Sequence, residues 1–419
     1  MSRAAGGPPA GAAAPPRRSG APGRVRAPTP WLEEVDPGRL PRVGRLPARV
    51  EVAVVGGGVI GVAAAYALAG RGARVLVLDA RVPGWGASGR NAGLVLGSPA
   101  SLDALRAFLD EEGIDAGYAE PGHLALASSA AMLERFRGER AARAASAAPI
   151  ELLDRGACEA LLGTRVDARF AGGRWMPRAG ALHPGRFLYG LASAAGRRGA
   201  RFAPGSAALS LHRARGGGWT VRTGRGVLRA QAVLLACGAA AGRLWHPLAR
   251  LLSTVRGQVL ATRPVPGLFG PAMAVDYGAV YWRQLADGTV LIGGCRDVDP
   301  ERERTGRTAL NPRVQRALER FLPAAFPVMA PVRAARRWAG IMDATPDGRP
   351  LAGPWPGAPG LWVAAGFGGH GLPPALGTGR ALAEALTDGA RPPELAPMDP
   401  ARFGPPVLPR DARSNLEVP

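Results

Sequence analysis

Apolar residues run through this chain in two rhythms, one continuous and one periodic. The continuous one opens at Glu51-Val-Ala-Val-Val55, passes through Gly56-Gly-Gly58-Val59-Ile60-Gly61 into the apolar stretch 62–69, and resumes at Arg74-Val-Leu-Val-Leu-Asp79. Short unbroken apolar runs bounded by turn residues mark strands buried on both faces. The pattern therefore predicts strand, glycine turn, helix and strand. Residues 52–69 come close to the length and apolarity of a membrane span, but Glu51 and three successive glycines interrupt that reading.

Further along, the period changes. Helical spacing is expected over Ser101–Gly113, Ala130–Ala145, Leu182–Ala195, Asn311–Leu322 and Pro373–Thr387,. Strands are expected at Gly122–Ala127, Ala207–Leu211, Trp219–Thr223, Gln231–Ala236 and Leu361–Ala365, with a second sheet from Arg256–Thr262, Ala279–Gln284 and Thr289–Gly293,. Residues 1–46 and 391–419 are rich in Pro, Ala, Gly and Arg and lack a period, so both are read as tails,. Arg17-Arg18 has no apolar segment behind it and is no export signal,.

Composition changes this picture little. The 419 residues suffice for two domains,. The three cysteines, Cys158, Cys237 and Cys295, are widely spaced, which argues against a disulfide framework or a zinc site and for a reducing cytoplasm,. No metal site is expected. The formal charge of +21 raises nucleic acid or an anionic membrane as partner, yet the chain contains no lysine, its arginines are spread throughout, and they accompany heavy use of Ala, Gly and Pro,. A coding bias accounts for this better than a binding face. No nucleic acid and no transmembrane segment are expected.

The glycine turn carries chemistry. In Gly-x-Gly-x-x-Gly, Gly56 permits the tight turn, Gly58 lets a pyrophosphate approach the backbone beside Val59 and Ile60, and Gly61 lets helix and strand pack closely,. Asp79 ends the second strand where a carboxylate can take ribose hydroxyls; Arg81 offers the alternative of a 2′-phosphate,.

Five segments together resemble the D-amino-acid oxidase / sarcosine oxidase family of FAD-dependent amine oxidoreductases: 54–61, Gly86-Ala-Ser-Gly-Arg-Asn-Ala-Gly93, Leu234-Leu-Ala-Cys-Gly238, the run from Trp338 to Pro350, and Gly366-Phe-Gly-Gly-His-Gly371. The resemblance spans about residues 50 to 390. It implies an α/β fold with a discontinuous, Rossmann-like FAD-binding domain (47–100, 182–245, 335–390) and a second, mostly antiparallel-sheet substrate domain (101–181, 246–334). It implies that Ser88, Arg90, Asn91 and Gly93 lie along the diphosphate and flavin, that Ala208 contacts adenine through its backbone, and that Gly238 lies in the cofactor site. Backbone N–H groups of Gly368, Gly369, Gly371 and Leu372 suit the negative charge that gathers near flavin N1 and the C2 carbonyl on reduction. His370 is open to three roles: charge near N1, substrate contact, or a structural bond to backbone.

On the substrate side the expected residues are Asp343, Tyr281, Trp282 and Arg283, with Asp343 and Asp347 alternatively plain turn carboxylates. Amino-acid and glycine oxidases of the family place an arginine near the position of Met342, and its absence argues against a simple D-amino-acid oxidase. The expected reaction is hydride transfer to noncovalent FAD from the carbon beside an amine or amino-acid nitrogen, then imine hydrolysis. The acceptor is oxygen, a quinone or a carrier protein. Monomeric sarcosine oxidases use a lysine over the flavin to activate oxygen, which would fall near Val290, and this chain has none. Arg283, Arg296 or a protonated His370 would have to replace it. The alternatives are an NAD(P)-linked oxidoreductase and a non-catalytic flavin-binding subunit.

Overall fold

A computed structural model describes residues 28–143, 150–329 and 331–404; the outer parts of both expected tails and residues 144–145 of an expected helix lie outside them. The first sheet runs in the order Leu351–Pro354, Leu361–Ala365, Gly226–Leu235, Arg49–Val55, Val75–Leu78 and Arg201–Ala203. Its central pairings are parallel. Ala208–Arg213 and Trp219–Thr223 attach as an antiparallel meander to the long strand Gly226–Leu235.

The helix Val59–Gly70 follows the glycine turn and is buried on almost every side. Sheet, the helix Pro184–Arg197 and the helix Ala375–Asp388 enclose it, which explains why its sequence is apolar all round. Gly379 allows the last contact, since a Cβ there would fall 2.6 Å from a backbone carbon of Ala63.

The second sheet runs Ala334–Ala344, Ser253–Thr262, Val290–Gly294, Val280–Gln284, Ala272–Val275, His123–Ala127, Gly172–Met176 and Glu151–Asp154. All its pairings are antiparallel except Ala272–Val275 with His123–Ala127. One face packs Trp282, Val290 and Ile292 against the helix Pro312–Ala325. The other face looks into the cavity described below. Across it the register aligns Val259, Gly293, Tyr281, Ala274, Ala125 and Arg174 in one row, with Gly257 beside Gly340. Gly257, Gly340, Gly293, Ala274 and Ala125 leave room above the sheet.

Three expected boundaries need correction. Residues 28–46 are folded: Pro30–Glu33 is a helical turn, Trp31, Leu32 and Leu40 are buried, and Arg42 bridges to Phe202. The apolar residues are too few for a period, but tertiary contacts order them. Residues 393–403 likewise form two 3-10 turns with Leu395 buried. Finally, Ala334–Ala344 pairs along Ser253–Thr262, so it belongs to the second sheet and not to the cofactor domain. Only the residues after it return to the first sheet.

Candidate active site

A cavity of about 2010 Å³ runs from the glycine turn to the open face of the second sheet. That exceeds the usual 300–1,000 Å³ of a small-ligand pocket and suits a dinucleotide plus a second molecule. At one end Gly56 takes φ +117°, its N–H donates to the Leu78 carbonyl at 2.8 Å, and a Cβ there would lie 2.4 Å from the Ala236 carbonyl oxygen. Gly61 does not line the cavity; its Cβ would meet the Gly56 carbonyl at 2.1 Å, a helix-to-strand packing role. Gly58, Val59 and Ile60 do line it. A Cβ on Gly58 would meet only Ser88 Oγ, at 3.1 Å, and Ser88 Oγ itself accepts from the Val59 N–H at 2.9 Å.

Asp79 forms part of the wall. Its two oxygens accept from the N–H groups of Gly57 and Arg81, each at 2.8 Å, while burial pushes its pKa up. Arg81 lies over the Trp85 ring, 4.9 Å from its centroid. Ala208 and Gly238 also border the cavity.

The loop 84–93 is held by its own side chains. Arg90 donates to the carbonyls of Trp85 (2.8 Å) and Ala339 (2.7 Å), and Trp338 Nε1 donates to the Arg90 carbonyl at 2.8 Å. Burial lowers the Arg90 pKa. Asn91 Nδ2 donates to the Ser88 carbonyl and Oδ1 accepts from the Gly93 N–H. Arg90 and Asn91 therefore shape the loop, and what they offer a ligand is mainly its backbone. Gly93 departs from expectation: at φ +74° a Cβ would collide with the Leu182 carbonyl at 2.1 Å, and its neighbours Ala92 and Leu94 line the cavity in its place.

Asp343 anchors the C-terminal loop. Its Oδ2 accepts from the Gly366 N–H at 2.6 Å, its carbonyl accepts from the Gly368 N–H at 2.8 Å, and burial raises its pKa. Asp347 lies off the cavity, bonded by Thr345 and Arg402, so it is a turn carboxylate. Gly368, Gly369, His370, Gly371 and Leu372 line the wall, with Gly368 and Gly369 at positive φ. The helix begins at Ala375, two residues later than expected, because Pro373 and Pro374 lead into it. His370 Nδ1 lies 3.1 Å from the Gly368 carbonyl. A carbonyl only accepts, so Nδ1 carries the proton in the neutral ring and Nε2 keeps its lone pair. Burial, helped by Arg296, lowers the pKa of this imidazole.

Of the residues expected above the flavin, only Tyr281 and Asp343 line the cavity. Tyr281 lies over Gly293, where a Cβ would sit 2.4 Å from its hydroxyl, and burial raises its pKa. Trp282 points to the opposite face, as alternation along a strand requires, and is fully buried,. Arg283 is buried as well: Nη2 donates to the Leu182 carbonyl at 2.8 Å, the guanidinium packs against the Trp31 ring at 5.6 Å, and burial pushes its pKa down to about 10. Val290, the expected lysine position, is buried in the core beneath the sheet. Arg296, expected only as a stand-in for the absent lysine, is the arginine that reaches the substrate side of the cavity. It follows the strand Val290–Gly294, lines the cavity, and sets Nη1 3.9 Å from Met342 Sδ. No ion pair joins it to a carboxylate among the described residues. No motif in the sequence assigned it a contact with substrate.

A glycine-turn strand–helix unit whose cavity continues under a second antiparallel sheet defines a two-domain enzyme built around a dinucleotide. The chain belongs to the FAD-dependent oxidoreductase family: the family model described as "DAO: FAD dependent oxidoreductase" matches residues 51–385. It is 30% identical over 428 residues to a D-amino acid dehydrogenase of Methylobacterium nodulans, covering 84% of this chain and 98% of that one. Human mitochondrial dimethylglycine dehydrogenase is 26% identical over 391 residues, 85% of this chain but 44% of that longer protein. The crystal structure of glycine oxidase from Geobacillus kaustophilus superposes with a TM-score of 0.74 at 26% identity, covering 84% of this chain and 98% of that one. The protein is thus an FAD-dependent oxidoreductase, and the groove around Gly58 and the loop 366–372 fit that cofactor.

Proposed function

We propose that this chain oxidises the carbon–nitrogen bond of an α-amino acid or N-alkyl amino acid. The observation that carries the reading is Arg296, a cation without a carboxylate partner among the described residues, standing in the cavity against Met342. Relatives named for D-amino acids, glycine and dimethylglycine support the same class. Arg296 pairs with the substrate carboxylate. Tyr281, kept a neutral phenol by its raised pKa, donates to the same group. When bound, FAD supplies the hydride acceptor for the carbon beside the nitrogen. His370, neutral near pH 7, offers Nε2 to take the proton of the substrate ammonium,. The two-electron balance leaves an imine, which water hydrolyses to an oxo product and ammonia or an amine. Anaerobic single turnover tests this: one oxo product and one nitrogen product per flavin are expected, and neither product forming would overturn it.

FAD is held noncovalently in this reading. Cys158 and Cys295 are buried in the core, and Cys237, which borders the cavity, has its thiol pushed up to about 12 by burial. A protonated thiol is a poor nucleophile. Acid precipitation should leave all the flavin in the supernatant; yellow polypeptide would contradict it. The three free cysteines also support the cytoplasm as its compartment,.

Oxygen is the poorer acceptor. The chain has no lysine, Arg283 lies outside the cavity lining, and Arg296 is engaged by the substrate or product carboxylate when the flavin is reduced. Stopped-flow reoxidation should be slow in air and fast with a quinone dye. Rapid stoichiometric hydrogen peroxide formation with air alone would refute this.

A further inference from the structure

The segment before the first strand reaches the cofactor loop by a route unrelated to the glycine turn. Thr29 Oγ1 donates to the Gly89 carbonyl at 2.7 Å, and Trp31 Nε1 donates to the Asn91 carbonyl at 2.8 Å. Thr29 is fully buried and Trp31 nearly so. Leu32 packs where a Cβ on Gly84 or Gly89 would stand. Trp31 also joins Val259, Ala261, Leu291 and Trp338 of the second sheet in one cluster, and Arg336 forms a bidentate pair with Glu33 at 2.9 Å. The same loop is therefore held from both sides: by Trp338 and the Ala339 carbonyl of the sheet, and by Thr29 and Trp31 from the segment ahead of it.

We propose that Thr29 and Trp31 are positioning residues for FAD: they fix the carbonyls of Gly89 and Asn91, so that the loop's Ser88 and its backbone face the cavity and retain the cofactor. The proposal rests on FAD occupying this cavity. Buried carbonyls without donors would be costly, so the loop keeps one conformation only while the strap supplies them. Loss of the strap's donors frees the loop to turn its carbonyls toward water, and Ser88, the one side chain beside Gly58, moves with it. The effect falls on retention of the cofactor and not on the hydride step, because neither residue lines the cavity.

The test uses the full-length holoprotein. Thr29→Val removes one donor and keeps the shape; Trp31→Phe removes the other together with one ring of the indole; Thr29→Ser keeps the hydroxyl. Release of FAD is followed by the recovery of its fluorescence on dilution, and the thermal midpoint is measured separately on apoprotein. Thr29→Val should speed FAD release about fivefold, the effect of one net hydrogen bond, with little change in the apoprotein midpoint; Trp31→Phe should speed it at least as much, with a lower midpoint from the packing lost in its cluster,. Thr29→Ser should release at the wild-type rate, and so should Glu33→Gln, which weakens the strap away from the loop. Release rates equal to wild type in both donor-less variants, or a midpoint that falls in step with release in Thr29→Val, would overturn the proposal. A wild-type protein that binds no FAD would instead refute the cofactor reading beneath it.

Discussion

Gly58→Val should yield a folded protein without flavin. The backbone at Gly58 has φ −78° and ψ 173°, an extended conformation that valine adopts readily,. Its Cβ would meet no backbone, only Ser88 Oγ at 3.1 Å. The branched side chain would then fill the space beside Ser88 Oγ at the helix N-terminus, the end of a helix that a phosphate approaches,. Exclusion of a phosphate from this helix end, with the charge-assisted hydrogen bonds it would make there, predicts at least about 100-fold weaker FAD binding. Visible absorbance per protein should fall to background while far-ultraviolet circular dichroism is retained. Gly56→Val and Gly61→Val are the contrast: their Cβ atoms would lie 2.4 and 2.1 Å from carbonyl oxygens, so the strand–helix unit itself must shift. A Gly58→Val protein with full flavin content would mean that the phosphates lie elsewhere.

The second large effect belongs to Arg296. Arg296→Met should lower kcat/KM for the carboxylate-bearing substrate about 100-fold, chiefly through KM, because a charge-assisted pair to the ligand is lost while the shape of the wall is kept. Flavin content and the visible spectrum should not change. The contact with Met342 gives a sharper form of the test. In Arg296→Met/Met342→Arg the cation crosses a 3.9 Å contact to the strand Ala334–Ala344, and activity should recover to within about tenfold of wild type, since a guanidinium on either side reaches the same carboxylate. Steady-state kinetics on the three variants decide it. Unchanged KM in Arg296→Met would remove Arg296 from the substrate site.

The parts of this molecule that were legible in the sequence are those fixed by local constraint. Gly56 and Gly61 are dictated by backbone carbonyls that leave no room for a Cβ, so the turn is written in the chain itself. The strand Trp219–Thr223 and the strand Leu361–Ala365 were found at their true limits because alternation or continuous burial marks them. Ala334–Ala344 was missed as a strand: its sequence AARRWAGIMDA neither alternates nor favours extension, and it is a strand because it pairs along the whole of Ser253–Thr262. Gly172–Met176, with two glycines, is ordered the same way by His123–Ala127 and Glu151–Asp154.

The substrate side was harder for a related reason. Tyr281 and Arg283 share a strand face, yet only Tyr281 meets the cavity, because Trp31 from a segment read as a tail covers Arg283. Arg296 follows Cys295, which sits at φ +53°, and that local turn directs it toward Met342. The first fact depends on a residue far away in sequence and the second on one backbone angle, so no periodicity could have carried either.

The central claim is that one cavity holds FAD and an amine that bears a carboxylate. Anaerobic mixing of the oxidised holoprotein with pairs of compounds tests it most directly, each pair an α-amino or N-alkyl amino acid and the amine left when its carboxyl group is removed. The flavin should bleach with at least one carboxylate-bearing member and, within that pair, far more slowly or not at all with its decarboxylated partner. Equal bleaching by both members, or no bleaching across the panel, would contradict the account.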